Sequence, residues 1–234
     1  MTLDFNTIAF AFLGGLLPAL LWLWFWLKED ERNPEPKRLI VAAFLAGMVV
    51  VPAAFFFEKF TVQAVGFGVV AIVIWAIIEE LLKYAGAYVV AFRSVCLDKS
   101  RCVDEPIDPM VYMVTVALGF AALENALFLL NPLFSGDALT GILTGNMRFI
   151  GATLLHVAAS ALVGLGKSLS FYKDMRTKRL YFALGITGAI ALHVLFNFSI
   201  MIFKGQNLFL IFSVLWFIIG ALLLSFEKVK RLRP

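Results

Sequence analysis

The chain has 234 residues, 62% of them hydrophobic and 15% charged, with a mean hydropathy of +0.91. Soluble domains are roughly half apolar, so this balance excludes an ordinary soluble domain and predicts a polytopic membrane protein built as one helical bundle. The net charge of +4 does not point to nucleic acid, because the basic residues lie in short loops beside apolar runs, where they act as a topology signal.

Seven spans are predicted in chain order. The first covers 5–27 and stops at KEDERNPEPKR; it has no positively charged leader, so it reads as a retained span rather than a cleaved signal peptide. The second covers 39–57, with EKF as a short turn. The third, 62–92, carries WAIIEELLKYAG and precedes the polar loop RSVCLDKSRCVDEPIDP. The fourth covers 110–130, closed by Asn131-Pro132, and the fifth covers 142–170. YKDMRTKR then leads to the sixth, 180–203, and KGQN turns into the seventh, 207–226, before the tail EKVKRLRP. No segment alternates with the period of a barrel strand. The chain therefore reads as a single integral-membrane domain over 1–234, with a catalytic four-helix heart over about 62–203.

Lysine and arginine alternate between the connections. The loops after spans 1, 3 and 5 and the C-terminal tail hold fifteen, whereas the intervening loops hold Lys59 and Lys204 alone. The rich side is expected to be cytoplasmic, which puts the N-terminus outside and the C-terminus inside, in a multi-pass protein of the cell's inner (plasma) membrane. Cys96 and Cys102 fall in a cytoplasmic loop on this topology and are expected to be reduced thiols. Small residues recur in GATLLHVAASALVGLG and LGITGAIA, a pattern that lets helices approach closely.

Ionisable side chains within the spans are few: Glu79, Glu80, Lys83, Glu124, His156 and His193. Arg148 and Lys167 lie nearer the ends of span 5 and are expected to snorkel to the interface. At ~1.5 Å per residue, Glu79, Glu124, His156 and His193 all sit roughly 20 Å along their helices, so four helices offer polar groups at one depth. Lys83 is i+4 from Glu79 and i+3 from Glu80 and can reach either; His193 and Asn197 share a face. Each charge at a span centre costs ~2.5–3.5 kcal/mol on insertion. Span 3 is marginal alone and needs its neighbours. A buried network that only fixes packing accounts poorly for so many polar groups at one level.

These groups suit hydrolysis by an activated water. No serine-centred nucleophile motif is present, and nothing marks Ser160, one turn after His156, as activated. A glutamate of the Glu79–Glu80 pair is a competent general base, while His156, His193 and Asn197 are placed to stabilise an oxyanion. Alternatively, Glu124, His156 and His193 offer the carboxylate and two imidazoles of a catalytic zinc site, although HExxH is absent. A proton-coupled transporter and a non-catalytic membrane scaffold are the competing functions, since intramembrane Glu and His mark those as well. The inverted repeats and broken helices of many transporters are not visible.

The ordered set EELLK, FAALEN, a mid-helix His and HVLFN resembles the PrsW family of intramembrane proteases, within the CAAX-prenyl-protease and bacteriocin-processing superfamily. The resemblance covers about 79–197. It implies that Glu79 and Glu80 are the paired-glutamate motif, one of them the base, that His156 is the third motif, and that His193 with Asn197 is the fourth. Glu124 stands where prenyl-protease relatives carry a histidine, which sets the chain apart from them. The resemblance implies cleavage of a single-pass, membrane-anchored protein such as an anti-sigma factor, by a metal-dependent or a metal-free glutamate mechanism.

Overall fold

In the computed structural model, residues 5–28, 33–93, 103–203 and 207–233 are described. Every regular element among them is helical: α1 Phe5–Lys28, α2 Lys37–Val65, α3 Val69–Ala87, α4 Asp108–Phe134, α5 Ala138–Met147, α6 Thr153–Leu169, α7 Met175–Ile202 and α8 Leu208–Val229. A π-helical turn, Arg148–Ala152, joins α5 to α6 as one rod, and another, Tyr88–Phe92, extends α3. Six of the resulting seven rods are long and apolar enough to cross a bilayer. The seventh is α3, which carries Glu79, Glu80 and Lys83 within its 19 residues. Cys96 and Cys102 lie outside the described residues.

The spans recur with shifted ends, and local chemistry explains each shift. EKF is not a turn: it contains no helix breaker, and α2 runs through it to Val65. The break comes at Gly66, whose φ of +74° lies in the left-handed region that glycine enters freely. Span 3 accordingly begins at Val69 rather than 62. Asn131-Pro132 does not close α4, which continues to Phe134. The rod containing span 5 begins at Ala138, four residues early, because Asp137 caps it by accepting the Thr140 N–H at 2.9 Å. Asp174 does the same for α7 from the Arg176 and Thr177 N–H groups, so part of the basic loop becomes its first turns. The Thr177 hydroxyl adds a bond at 2.5 Å, and these bonds hold the Asp174 carboxyl below its usual range.

Two rods form the centre. In α4 and in the α5–α6 rod, 72% of the apolar stretch is buried, against 17–39% in α1, α2, α7 and α8. α4 packs on α1, α2 and α6, α6 packs on α4, α7 and α8, and α3 lies against α2 and α7. Glycine permits the closest crossing: a Cβ on Gly47 of α2 would stand 2.0 Å from the Val116 carbonyl, and one on Gly119 of α4 would stand 1.9 Å from that of Phe44. Backbone contact at that point brings α2 and α4 together beside the polar residues of α3. The small residues of the later spans act likewise, with Gly166 of α6 facing the Tyr181 carbonyl of α7.

Candidate active site

On α3 the spacings i+3 and i+4 bring Glu79, Glu80 and Lys83 to the buried side. Glu80 and Lys83 have no exposed surface, and Lys83 Nζ lies 2.5 Å from Glu80 Oε1. The same oxygen is 2.7 Å from His193 Nδ1, from α7. Lys83 Nζ also lies 3.1 Å from His156 Nδ1, from α6. On the far side of that ring, His156 Nε2 is 3.0 Å from Glu124 Oε2, from α4. The two imidazoles meet edge to face at 5.3 Å, and Phe120 packs 5.2 Å from His156 and under the Lys83 ammonium at 5.1 Å. Phe120, a buried core aromatic, forms the apolar floor of the cluster.

Hydrogen bonds fix which ring nitrogens carry protons. An ionised carboxylate accepts and cannot donate, so His193 Nδ1–H donates to Glu80 and His156 Nε2–H donates to Glu124. The remaining nitrogens, His193 Nε2 and His156 Nδ1, each lie 3.8 Å from Glu79 Oε2. That oxygen is buried and has no hydrogen-bond partner among the described residues. A buried, unbonded carboxylate oxygen is costly, and here it faces the lone pairs of two imidazoles. Each ring is held by a carboxylate on its opposite nitrogen, as outer carboxylates hold ligand histidines in metal sites.

Glu79, His156 and His193 each bring a donor atom within 4.8 Å of the others, and all three residues are buried. Their chemistry, one carboxylate and two imidazoles, fits zinc. The triplet differs from the expected Glu124, His156 and His193: Glu124 stands behind His156, on the ring nitrogen turned away from Glu79. Asn197 is half-buried, and among the described residues no hydrogen bond joins it to the cluster. Ser160 Oγ is buried without a partner, while both nitrogens of His156 are engaged by Lys83 and Glu124, so the serine has no base to activate it.

The structure adds residues that the sequence reading left out. Arg148 does not snorkel: the π-helical turn aims it inward, where Nη2 donates to Glu124 Oε2 and Nε donates to Asn125 Oδ1 at 2.5 Å. Asn125 passes the network on to Thr153 Oγ1 at 2.9 Å. The capping signal Asp137-x-x-Thr140 would have found Arg148, because it starts the rod early and puts Arg148 ten residues inside it. Glu58, expected in a turn, lies within α2, where its backbone carbonyl accepts the Trp75 indole N–H of α3 at 3.2 Å. The lack of any glycine or proline between Ala53 and Gly66 was its signal.

The chain also matches proteins of known class. Residues 35–223 match the family described as PrsW family intramembrane metalloprotease. A protein named Protease PrsW from Geobacillus kaustophilus is 30% identical over 169 residues, covering 70% of this chain and 68% of the relative. One of the same name from Halalkalibacterium halodurans is 24% identical over 229 residues, covering 93% and 94%, and one from Bacillus subtilis is 28% identical over 155 residues, covering 65% and 63%. No solved structure gives a significant match. With the family's match spanning most of the chain and its acids and imidazoles gathered among apolar rods, this multi-pass membrane protein belongs to the PrsW family of intramembrane proteases.

Proposed function

We propose that the chain is an intramembrane endopeptidase that hydrolyses a peptide bond in a membrane-anchored protein, with Glu79, His156 and His193 at the reacting centre. The observation that carries this reading is Glu79 Oε2, unbonded among the described residues and 3.8 Å from one nitrogen of each histidine. A zinc ion held by these three residues would supply Lewis acidity and lower the pKa of a bound water. The other residues hold the set in place. Glu80 and Glu124 fix the tautomers and planes of His193 and His156, Lys83 balances Glu80, and Arg148 balances Glu124. Apolar rods exclude bulk water, which strengthens every charge interaction in the cluster.

A metal-free reading rests on one further contact. Lys83 Nζ, 3.1 Å from His156 Nδ1, donates into the lone pair a metal would take. In that reading Glu79 Oε2 accepts the proton of the attacking water, and His156, His193 and Lys83 steady the oxyanion of the tetrahedral intermediate. Asn197, one turn beyond His193, is the amide placed nearest in sequence to help. Metal content of the purified protein separates the two readings. One equivalent of zinc in wild type, lost in His156→Ala/His193→Ala, is expected for the first, and full cleavage by metal-free protein supports the second.

The family assignment favours proteolysis over transport or scaffolding. The motif order supports a single-pass substrate of the anti-sigma type. The lysine and arginine bias supports an outside N-terminus, a cytoplasmic C-terminus and an inner-membrane location, with the whole chain acting as one membrane unit around the four helices that carry the site. Cleavage of a single-pass substrate in proteoliposomes is expected to fall by about 10²–10⁴-fold in Glu79→Gln. Unchanged cleavage in Glu79→Gln and His193→Ala, both folded, would overturn the assignment.

A further inference from the structure

A second polar feature lies at the end of the bundle where α6 finishes and α4 and α7 begin. There a cavity of about 180 Å³ is lined by residues that include Lys167, Ser170, Lys178, Phe171 and Phe182. One water needs only ~10–15 Å³, so the space admits a phosphate group. Among the described residues no carboxylate lines it. Lys167 makes no ion pair among the described residues; its ammonium is held instead over Phe92 at 4.5 Å, Tyr84 at 5.8 Å and Phe182 at 6.0 Å. Lys178, one turn into α7, lines the same cavity.

Two cations that converge on one cavity, with no counter-charge among the described residues, favour an anion that joins them. Aromatic rings hold Lys167 by its positive charge but leave its N–H donors unmatched by any carboxylate. The cavity sits at helix ends, among the basic connections of the chain, which is the level of lipid headgroups. Basic pockets between helices at that level suit anionic headgroups, and the aromatic residues beside it give the apolar wall that an acyl chain would follow. We propose that the Lys167–Lys178 cavity binds a phosphate-bearing anion, the headgroup phosphate of an anionic phospholipid. This site is separate from the cluster around Glu79 and does not depend on its chemistry.

The experiment titrates the full-length protein in detergent with phosphatidylglycerol and with phosphatidylcholine of the same chain length, read by native mass spectrometry. Inorganic phosphate serves as competitor. Wild type is expected to bind phosphatidylglycerol at least tenfold more tightly than phosphatidylcholine. Lys167→Met/Lys178→Gln is expected to lose that preference, about a tenfold to thirtyfold weakening, as two interfacial cations imply. If the lipids bind alike but millimolar phosphate raises the melting temperature of wild type and not of the double variant, the anion is free phosphate and the site stands. Should the double variant fail to fold, Lys178→Glu is expected to bind phosphatidylglycerol more weakly than Lys178→Gln. Equal binding of both lipids with no effect of phosphate would overturn the proposal, as would equal phosphatidylglycerol affinity in wild type and the variants.

Discussion

The cluster at mid-bundle and the cavity at the bundle's end treat charge in opposite ways. Around Glu79 the full charges are matched: Lys83 to Glu80, Arg148 to Glu124, and each imidazole to a carboxylate. Around Lys167 two ammonium-bearing side chains line one cavity, and among the described residues no acid lines it with them. Depth explains the difference. Deep in the bundle no water can solvate a lone charge, so each must be placed opposite another. At the helix ends water and headgroups are within reach, and a cation can await a ligand from outside. Two carboxylate oxygens of the cluster, Glu79 Oε2 and Glu80 Oε2, are left unbonded among the described residues; the first lies 3.8 Å from a nitrogen of each histidine and marks where chemistry is expected.

Breaking a deep pair is the sharpest test of that contrast. Lys83→Met leaves Glu80 buried beside His193 with its main counter-charge gone, and loss of one partner of a buried pair costs about 3–5 kcal/mol. Thermal unfolding in detergent is expected to show a large drop in midpoint, partly restored in Lys83→Met/Glu80→Gln. A drop no greater than that of Lys178→Met at the bundle's end would erase the distinction. Arg148→Met probes the half-buried rim of the cluster. Its expected effect is a 10- to 100-fold loss of cleavage, the size usual for outer partners of a reacting set, with little change in KM. A change confined to KM would make Arg148 a substrate contact instead. The smallest expected effect is that of Asn125→Ala, which removes the bond to Thr153 and costs about 1–3 kcal/mol by leaving buried groups unpaired. Melting temperature is the readout, and full stability would show that the network ends at Arg148.

Much of this site could be read along the chain because membrane burial makes polar residues conspicuous. Glu79, Glu80, Lys83, Glu124, His156 and His193 are the ionisable groups that interrupt long apolar runs, and the structure joins all six in one cluster. Arg148 and Glu58 were misplaced for one reason. Each sat near an expected helix end, and a shift of a few residues moves a side chain from the interface to the interior. Helix ends depend on caps and glycines, which hydropathy does not register. Asn197 shares a helix face with His193, yet among the described residues no hydrogen bond joins it to the cluster.

The sequence by itself determined the membrane class, the order of the rods and the depth of the charged groups, because transfer of each side chain into lipid is a local property. Which oxygen meets which nitrogen was decided only by tertiary structure. The close crossing at Gly47 and Gly119 and the π-helical turn at Arg148 set the separations and rotations of the rods. Those placed Glu79 against His156 Nδ1 and His193 Nε2, the nitrogens turned away from Glu124 and Glu80. Depth follows from counting along one helix, whereas the partner of a given atom depends on the rotation of every helix around it.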